Sequence, residues 1–393
     1  MSEWLNRNVL LLSFSAFFAD LGYQAAIAIF PIFLVVMLKA PSYEYGLASA
    51  MAFGIGAFFG YVGGLAGDKV SNKWVAVAGN LLIPLISLVG LASSPITAII
   101  LFSGGWWARN FRSPPRRVMI VNSSSAEYRG KVFGFLHMLD IGGGFVSVVL
   151  LLALFTGGIS LQKILLLTSI PLLISTTLLV ISNDSKPKVA KIPASEKQIK
   201  KNSKINNSAY KGVILATALY GFSSYSLGFP ILTIEQKAGS FLGMASYGVY
   251  LLVSAFTGYY IGSKKLNRIK SLGIIGYLLS GMGTIFIGVA YLLHFGYPAL
   301  YLGVGILGFS LGVIETLEPT LISFMKSAKH VGKGMGSLTA SRSIGIFSAN
   351  LIMGLLYVVD PFYSYTYAGI VAIIAAAVVL YYGKEFIKHD EPF

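Results

Sequence analysis

The sequence is built from long apolar segments that are separated by short polar breaks. Twelve segments are long enough to cross a membrane, which takes about 20 largely apolar residues in a helix. They cover residues 9–38, 44–66, 74–94, 97–122, 131–157, 163–182, 210–236, 241–262, 271–294, 298–325, 334–358 and 361–383. Because a backbone in lipid must satisfy its own hydrogen bonds, such segments cross as helices. The pattern therefore predicts an all-α integral membrane protein with twelve transmembrane helices.

Composition supports a membrane environment and argues against several kinds of site. Charged residues make up only 11% of the chain, whereas soluble domains carry about 25%. The chain has no cysteine, so it offers no disulfide, no thiolate metal ligand and no thiol nucleophile. Its four histidines are scattered, and no H-E-x-x-H motif is present. We therefore expect no metal site, no cofactor and no enzymatic activity.

Basic residues are distributed unequally between the two sides of the predicted membrane. With the N-terminus inside, 22 of the 30 lysines and arginines fall in inside segments and only three in outside segments. Cytoplasmic loops are enriched in lysine and arginine, so this bias predicts a plasma-membrane protein with cytoplasmic N- and C-termini. The net charge of +15 then follows from topology, and no nucleic-acid partner is needed to explain it.

One long polar stretch, residues 183–209, lies at the centre of the chain. We expect it to be a basic cytoplasmic linker between two six-helix bundles, residues 1–182 and residues 210–393. An alternative is a surface helix that begins at Ser195, has a capping box completed by Gln198, and binds anionic lipid headgroups through its lysines.

A weak internal repeat supports the division of the chain into two six-helix halves. The segment RGKVFGFLHMLDIGGGF at 129–145 aligns with VGKGMGSLTASRSIGIF at 331–347, and the matches include two glycines, a lysine and a phenylalanine. Parallel six-helix repeats are typical of transporters whose halves rock about a site near the membrane midplane. The alignment therefore predicts two related bundles.

Three motifs resemble those of the major facilitator superfamily. The loop after the second span fits its pattern G-x-x-x-D-[RK]-x-G-[RK]-[RK] at Gly64, Asp68, Lys69 and Lys73, with Ser71 and Asn72 as departures. The fourth span resembles R-x-x-Q-G at Arg109, with Arg112 and Ser113 in place of the last two residues. Residues 127–134 look like the family's E-x-R-G-x-x-F-G entry to the fifth span. Together with twelve spans, the resemblance covers essentially the whole chain.

The resemblance implies a monomeric secondary transporter that moves a small molecule by alternating access. The loop motif and the fourth-span arginine together look antiporter-like, so we expect proton-coupled efflux. A proton-coupled symporter or a uniporter for an organic anion or sugar is an alternative, as is a membrane sensor or receptor with a transporter fold. Protons and membrane lipids are the expected partners besides the substrate.

The loop motif also implies a cytoplasmic gate. Asp68 can accept hydrogen bonds from the unpaired N–H groups of a helix start. The resemblance places that start in the eleventh span, near residues 334–337, and the contact would latch the two halves together in the outward-open state. A charged turn that only sets topology is the alternative. The residues assigned to this gate are Gly64, Asp68, Lys69, Lys73 and Arg129.

Ionisable residues inside the predicted spans indicate the functional cavity, because charge at membrane depth is costly and is usually kept for function. In the family's fold, spans 1, 4, 7 and 10 line the central cavity. The candidate cavity residues are Tyr23, Gln24, Arg112, Asp140, Tyr220, Ser223, Ser224, Glu315, Glu318 and Arg342. Glu315 and Glu318 have two open interpretations: structural partners of Arg112 or Arg342, or a substrate or proton site.

Asp20 is the candidate proton carrier. It lies more than two turns inside the first span, and Tyr23 and Gln24 follow on the same helical face. Burial favours the neutral form of a carboxyl group. The resemblance implies Arg109 as the partner that retunes Asp20 when the helices move. The rival interpretation is a static Asp20–Arg109 ion pair that only holds spans 1 and 4 together.

The sequence leaves the substrate open. Several arginines favour an anion such as an organic acid or phosphate, whereas carboxylates among aromatic residues favour a lipophilic cation. Arg116 and Arg117 lie near the cytoplasmic end of the fourth span, where long basic side chains also reach out to lipid phosphates.

Overall fold

The computed structural model describes residues 4–124, 128–184, 203–262, 267–325 and 331–389, and these residues form helices and connecting turns without a strand among them. The α-helices are α1 (Arg7–Ile32), α2 (Ser42–Ser49), α3 (Gly56–Lys69), α4 (Asn72–Leu82), α5 (Pro95–Ser123), α6 (Arg129–Thr156), α7 (Leu161–Leu167), α8 (Ser169–Ile181), α9 (Ser203–Ser223), α10 (Gly228–Gly262), α11 (Arg268–Ser271), α12 (Leu279–Leu292), α13 (Tyr297–Met325), α14 (Val331–Val359) and α15 (Pro361–His389). The all-α prediction is confirmed.

Four spans continue through turns of π or 3-10 geometry. The π segments are Phe33–Met37 after α1, Ala50–Gly54 between α2 and α3, and Leu272–Leu278 between α11 and α12; the 3-10 segment Ile83–Leu91 follows α4. The π segments join α2 to α3 and α11 to α12, so each pair forms one span, and α7 and α8 form one span across a turn at Thr168.

The described helices account for twelve spans. Ten stretches are long and apolar enough to cross a membrane, and one of them, Ser208–Gly262, has 55 residues. It turns at Gly239, where φ is +84°, so it contains two crossings. Pro95–Ser123 is 29 residues long and is the remaining span, although its arginines lower its hydropathy. Apart from the start of span 7 and the end of span 12, the predicted boundaries agree with these helices within a few residues.

Span 7 differs from the prediction of one continuous helix over 210–236. It begins earlier, at Ser203, inside the predicted linker, and α9 ends at Ser223 before α10 starts at Gly228. Side chains satisfy a backbone group at this break, since the hydroxyls of Ser223 and Ser224 both donate to the carbonyl of Tyr220, at 2.8 and 2.9 Å. Residues 185–202, which include the predicted surface helix at Ser195, lie outside the described residues.

The helices divide into two compact units. Unit 1 comprises residues 1–40 and 51–192, and unit 2 comprises residues 41–50 and 193–393. The division differs from the predicted halves in one respect: residues 41–50 group with the second unit. There α2 packs closely against α14, since a Cβ on Gly354 would lie 2.9 Å from the Cα of Gly46.

In unit 1 the glycines of span 2 serve as packing sites for α5. A Cβ on Gly63 would meet the backbone of Phe111, and one on Gly56 would meet the side chain of Asn110. Gly143 of α6 similarly lies against the backbone of Phe17 in α1. Small residues allow this close approach of membrane helices, and it holds α1, α3, α5 and α6 together around the polar groups described below.

In unit 2 a glycine pair sets the crossing of α9 and α14. A Cβ on Gly345 would lie 2.5 Å from the carbonyl carbon of Gly221 and 2.6 Å from the backbone nitrogen of Phe222. This contact brings the end of α9 next to the part of α14 that carries Arg342, because the carbonyl of Arg342 lies 2.7 Å from the Cβ position of Gly221.

We expect Gly345→Ala to lower the stability of unit 2, because the new methyl group meets backbone atoms that cannot turn away. Overpacking of this kind costs about 1–3 kcal/mol. The thermal unfolding midpoint of the purified protein in detergent measures the effect. Gly305→Ala is the matched control, since its Cβ would meet nothing within 4 Å. Equal midpoints for the two variants would contradict the close crossing.

Candidate functional site

Asp20 lies at the centre of a buried polar group in unit 1. Its side chain is 5% exposed, and its Oδ1 accepts hydrogen bonds from the hydroxyl of Tyr23 at 2.5 Å and from Nε2 of Gln24 at 3.1 Å. The helical spacing in α1 explains the geometry, because residues three and four positions apart share one face. The structure thus brings the three candidate residues of span 1 together.

Arg109 approaches Asp20 through Tyr23. Its NH2 group donates to the Tyr23 hydroxyl at 3.4 Å, and its guanidinium lies over the rings of Tyr23 and Trp106 at 5.3 and 4.9 Å. Among the described residues no ion pair within 4 Å joins Arg109 to Asp20. The aromatic faces and the tyrosine hydroxyl therefore stabilise the cation, and Asp20 is not held by a direct salt bridge.

Arg112 is directed into the interior of unit 1. Its side chain is completely buried, and its NH1 group donates to Oδ1 of Asn80 in α4 at 2.6 Å. Asn80 is itself fixed by bonds from its amide nitrogen to the hydroxyls of Thr176 and Ser175, at 2.8 and 3.2 Å. Sequence reasoning assigned Arg112 to the substrate cavity and missed Asn80, which appears in the sequence as an isolated amide in an apolar span.

Arg116 and Asp140 form an ion pair in unit 1, with NH2 and Oδ1 3.8 Å apart. Arg116 is 7% exposed, so its guanidinium is buried and does not reach out toward solvent. Arg117, the next residue, is exposed. The snorkelling position expected for both arginines is therefore compatible with Arg117, whereas Arg116 turns inward to Asp140.

Arg342 of α14 binds both glutamates of α13 in unit 2. Its NH1 group contacts Oε1 of Glu315, and its NH2 group contacts Oε2 of Glu318. Glu318 is completely buried, whereas the side chain of Glu315 is 53% exposed. Of the two partners considered from sequence, Arg342 rather than Arg112 pairs with the glutamates.

Tyr277 completes this network, although sequence reasoning did not single it out. Its hydroxyl donates to Oε1 of Glu318 at 2.5 Å, and its ring stacks on Tyr220 at 4.8 Å. Tyr220 in turn shares a hydrogen bond of 3.0 Å with Ser280. Tyr220 therefore contacts the glutamate network through the ring of Tyr277, and its own hydroxyl is hydrogen-bonded to Ser280.

The predicted cytoplasmic gate is described in part. Asp68 and Lys69 are exposed at the end of α3 in unit 1, and Lys73 lies over the ring of Trp74 at 5.2 Å. The Cβ position of Gly64 is 3.6 Å from Pro114 of α5. The side chains of Arg129 and of residues 331–337 lie outside the described residues, so the latch to span 11 stays a prediction.

A G-x-S-x-G pattern occurs at residues 308–312, but it is not placed for nucleophilic chemistry. The hydrolase motif needs a sharp strand-to-helix turn, whereas these residues lie in the middle of α13. Gly308 and Gly312 pack against the backbone of α10 at Tyr250 and Ser254. The pattern is therefore a helix-packing site.

We expect Glu318→Ala to destabilise the protein far more than Glu315→Ala. Removing one partner of a buried charge network costs about 3–5 kcal/mol, whereas an exposed ion pair contributes about 0–1 kcal/mol. Thermal unfolding of the two purified variants, compared with the wild type, provides the measurement. A larger loss for Glu315→Ala would contradict the network as described.

Comparison with known proteins agrees with this architecture. The model of the Major Facilitator Superfamily matches residues 12–324. An uncharacterized MFS-type transporter of Methanocaldococcus jannaschii is 25% identical over 392 residues, which cover 96% of this chain and 95% of that protein.

Solved transporter structures share the fold. A bacterial homolog of the human lysosomal transporter Spinster, in an inward-facing and occupied conformation, has a TM-score of 0.75 at 14% identity and covers 98% of both chains. A POT family transporter in complex with a thioalcohol-conjugated peptide has a TM-score of 0.77 at 12% identity, with 96% of both chains covered. A D-xylose-proton symporter has a TM-score of 0.74 at 13% identity, with 94% of this chain and 96% of that chain covered.

Proposed function

Because the chain belongs to the Major Facilitator Superfamily, whose members transport solutes across membranes, we propose that it is a proton-coupled antiporter that exports a small molecule by alternating access. Asp20 is the proton carrier in this proposal, and Arg109 is its electrostatic partner. The observation that carries the proposal is the arrangement of Asp20: a buried carboxyl group that no described arginine contacts directly.

The Tyr23 hydroxyl supplies the link between proton and helix movement. It donates to Asp20 and accepts from Arg109, so it separates an acceptor of variable charge from a permanent cation. When Asp20 takes up a proton, its attraction for Arg109 is lost, and α1 and α5 become free to shift relative to each other. When Arg109 moves closer, the charged form of Asp20 is favoured and the proton leaves.

The direction of transport rests on the sequence motifs. The loop at 64–73 and the arginine at position 109 resemble those of antiporters. In an antiporter, the entry of protons drives the export of the solute. The fold is also that of a D-xylose-proton symporter and of peptide transporters, so symport or uniport of an organic anion or sugar is the alternative mode. The proposed setting is the plasma membrane, with a monomer whose two termini are cytoplasmic.

We expect Asp20→Asn to abolish proton coupling while folding and substrate binding survive, because the amide keeps the shape and the acceptor oxygen but cannot titrate. The measurement is solute transport into proteoliposomes with and without a pH gradient. Exchange of solute without a gradient should persist in this variant.

Asp184→Asn is the matched control, since Asp184 is an exposed carboxylate that accepts a hydrogen bond from Ser71. It should transport like the wild type. Gradient-driven transport by Asp20→Asn at the wild-type rate would exclude Asp20 as the carrier. A variant that binds no solute at all would point instead to a structural role.

Solute flux in reconstituted vesicles tests the functional class. A panel of organic anions, sugars and lipophilic cations, each assayed with and without a pH gradient, distinguishes antiport, symport and uniport by the sign of the coupling. Transport of at least one compound that responds to the gradient is the expected result. Binding of a compound without any flux would favour the sensor or receptor alternative.

A further inference from the structure

Arg112 carries a charge that no described carboxylate contacts. Its only described hydrogen bond goes to the neutral oxygen of Asn80, at 2.6 Å, and its Nε and NH2 atoms have no partner in the described part of the chain. The side chain is completely buried. Because arginine stays protonated in proteins, this charge cannot be removed by loss of a proton.

Arg116 adds a second incompletely satisfied guanidinium on the same helix. It follows Arg112 by four positions in α5, a spacing that places side chains on neighbouring turns. It is 7% exposed, and its Nε and NH1 atoms likewise have no partner among the described residues. Asp140 lies at 3.8 Å from its NH2 atom, which compensates one arginine and not two.

The charges in this part of unit 1 do not balance. Three arginines, of which Arg109 is half-buried and the other two are buried, accompany only two carboxylates in the described contacts, buried Asp20 and half-buried Asp140. Asp20 approaches Arg109 through Tyr23, and Asp140 pairs with Arg116. The excess positive charge therefore falls at Arg112, where burial of an uncompensated ion is strongly unfavourable.

The neighbourhood of Arg112 is polar rather than apolar. Asn80 is fixed by Ser175 and Thr176, and Ser15 shares a hydrogen bond of 2.9 Å with Ser175. These groups orient the Asn80 oxygen toward Arg112 but supply no negative charge. A small anion would supply the missing negative charge and could accept the free N–H groups of both arginines, whose residues lie one turn apart.

We propose that unit 1 binds a small monovalent anion, of the chloride class, between Arg112 and Arg116. Both side chains are less than a tenth exposed, which favours a small dehydrated ion over a large organic acid. The anion is a resident counter-ion of unit 1, and the site does not depend on which solute is transported or on whether Asp20 carries the proton.

The experiment is an anion titration of the full-length protein in detergent at constant ionic strength. Chloride or bromide replaces gluconate stepwise, and the thermal unfolding midpoint is recorded at each step. Binding to the folded state raises the midpoint and saturates. We expect a saturable increase with chloride and bromide and none with gluconate. Acetate forms a separate arm, because it presents the carboxylate of an organic substrate.

Two arginine variants locate the ion. Arg112→Gln removes the uncompensated charge, so it should lose the chloride-dependent increase while keeping the gluconate midpoint at or above that of the wild type. Arg117→Gln is the matched control, since Arg117 is exposed and adjacent to Arg116 in the sequence, and it should keep the full increase. If Arg112→Gln does not fold, Arg116→Gln and binding of radioactive chloride to the wild type provide the same test.

A wild-type midpoint that does not respond to chloride at constant ionic strength overturns the proposal. Retention of the full chloride effect in Arg112→Gln or Arg116→Gln overturns the assigned location. Stabilisation by acetate but not by chloride overturns the counter-ion and assigns the two arginines to a carboxylate ligand instead. None of these outcomes depends on the transport assays of Asp20→Asn, so the two proposals fail separately.

Discussion

A charge buried in a bundle of apolar helices has to be compensated by groups that the neighbouring helices supply. The two units solve this problem differently. Unit 2 gives one arginine two carboxylates, and Tyr277 supports the buried glutamate with a second hydrogen bond. Unit 1 holds Arg109 on aromatic faces and a tyrosine hydroxyl, and it holds Arg112 on an asparagine. Unit 2 therefore pairs its arginine with carboxylates directly, whereas in unit 1 Arg109 and Arg112 have no direct carboxylate partner among the described residues.

This difference explains why we place the coupling chemistry in unit 1. Glu318 is contacted directly by Arg342 and by the hydroxyl of Tyr277, so its position depends on a fixed cation and a fixed donor. Asp20 is held by a hydroxyl and an amide, both of which can bond to its neutral or its charged form. Because no arginine contacts Asp20 directly, its protonation is sensitive to small movements of Arg109. Coupling of protonation to a conformational change requires such sensitivity.

Hydropathy predicted the membrane fold well because span length and backbone hydrogen bonding leave a helix bundle few alternatives. Helical spacing also predicted that Tyr23 and Gln24 share a face with Asp20, since that relation is local. Tertiary pairing was not predictable. The choice of Arg342 for both glutamates depends on how α13 and α14 pack, and the role of Asn80 depends on its position opposite Arg112. The break between Ser223 and Gly228 was missed although serines and a glycine mark it, because the apolar residues on both sides are long enough for one continuous span.

The central claim is that the carboxyl group of Asp20 takes up and releases the proton. Infrared difference spectroscopy of the purified protein between acidic and alkaline buffer reports directly on carboxyl groups that titrate. On acidification the protonated-carboxyl band of the wild type should contain a component that is missing in Asp20→Asn, while the other carboxyl groups of the chain contribute equally to both spectra. Identical difference spectra for the two proteins would contradict this claim.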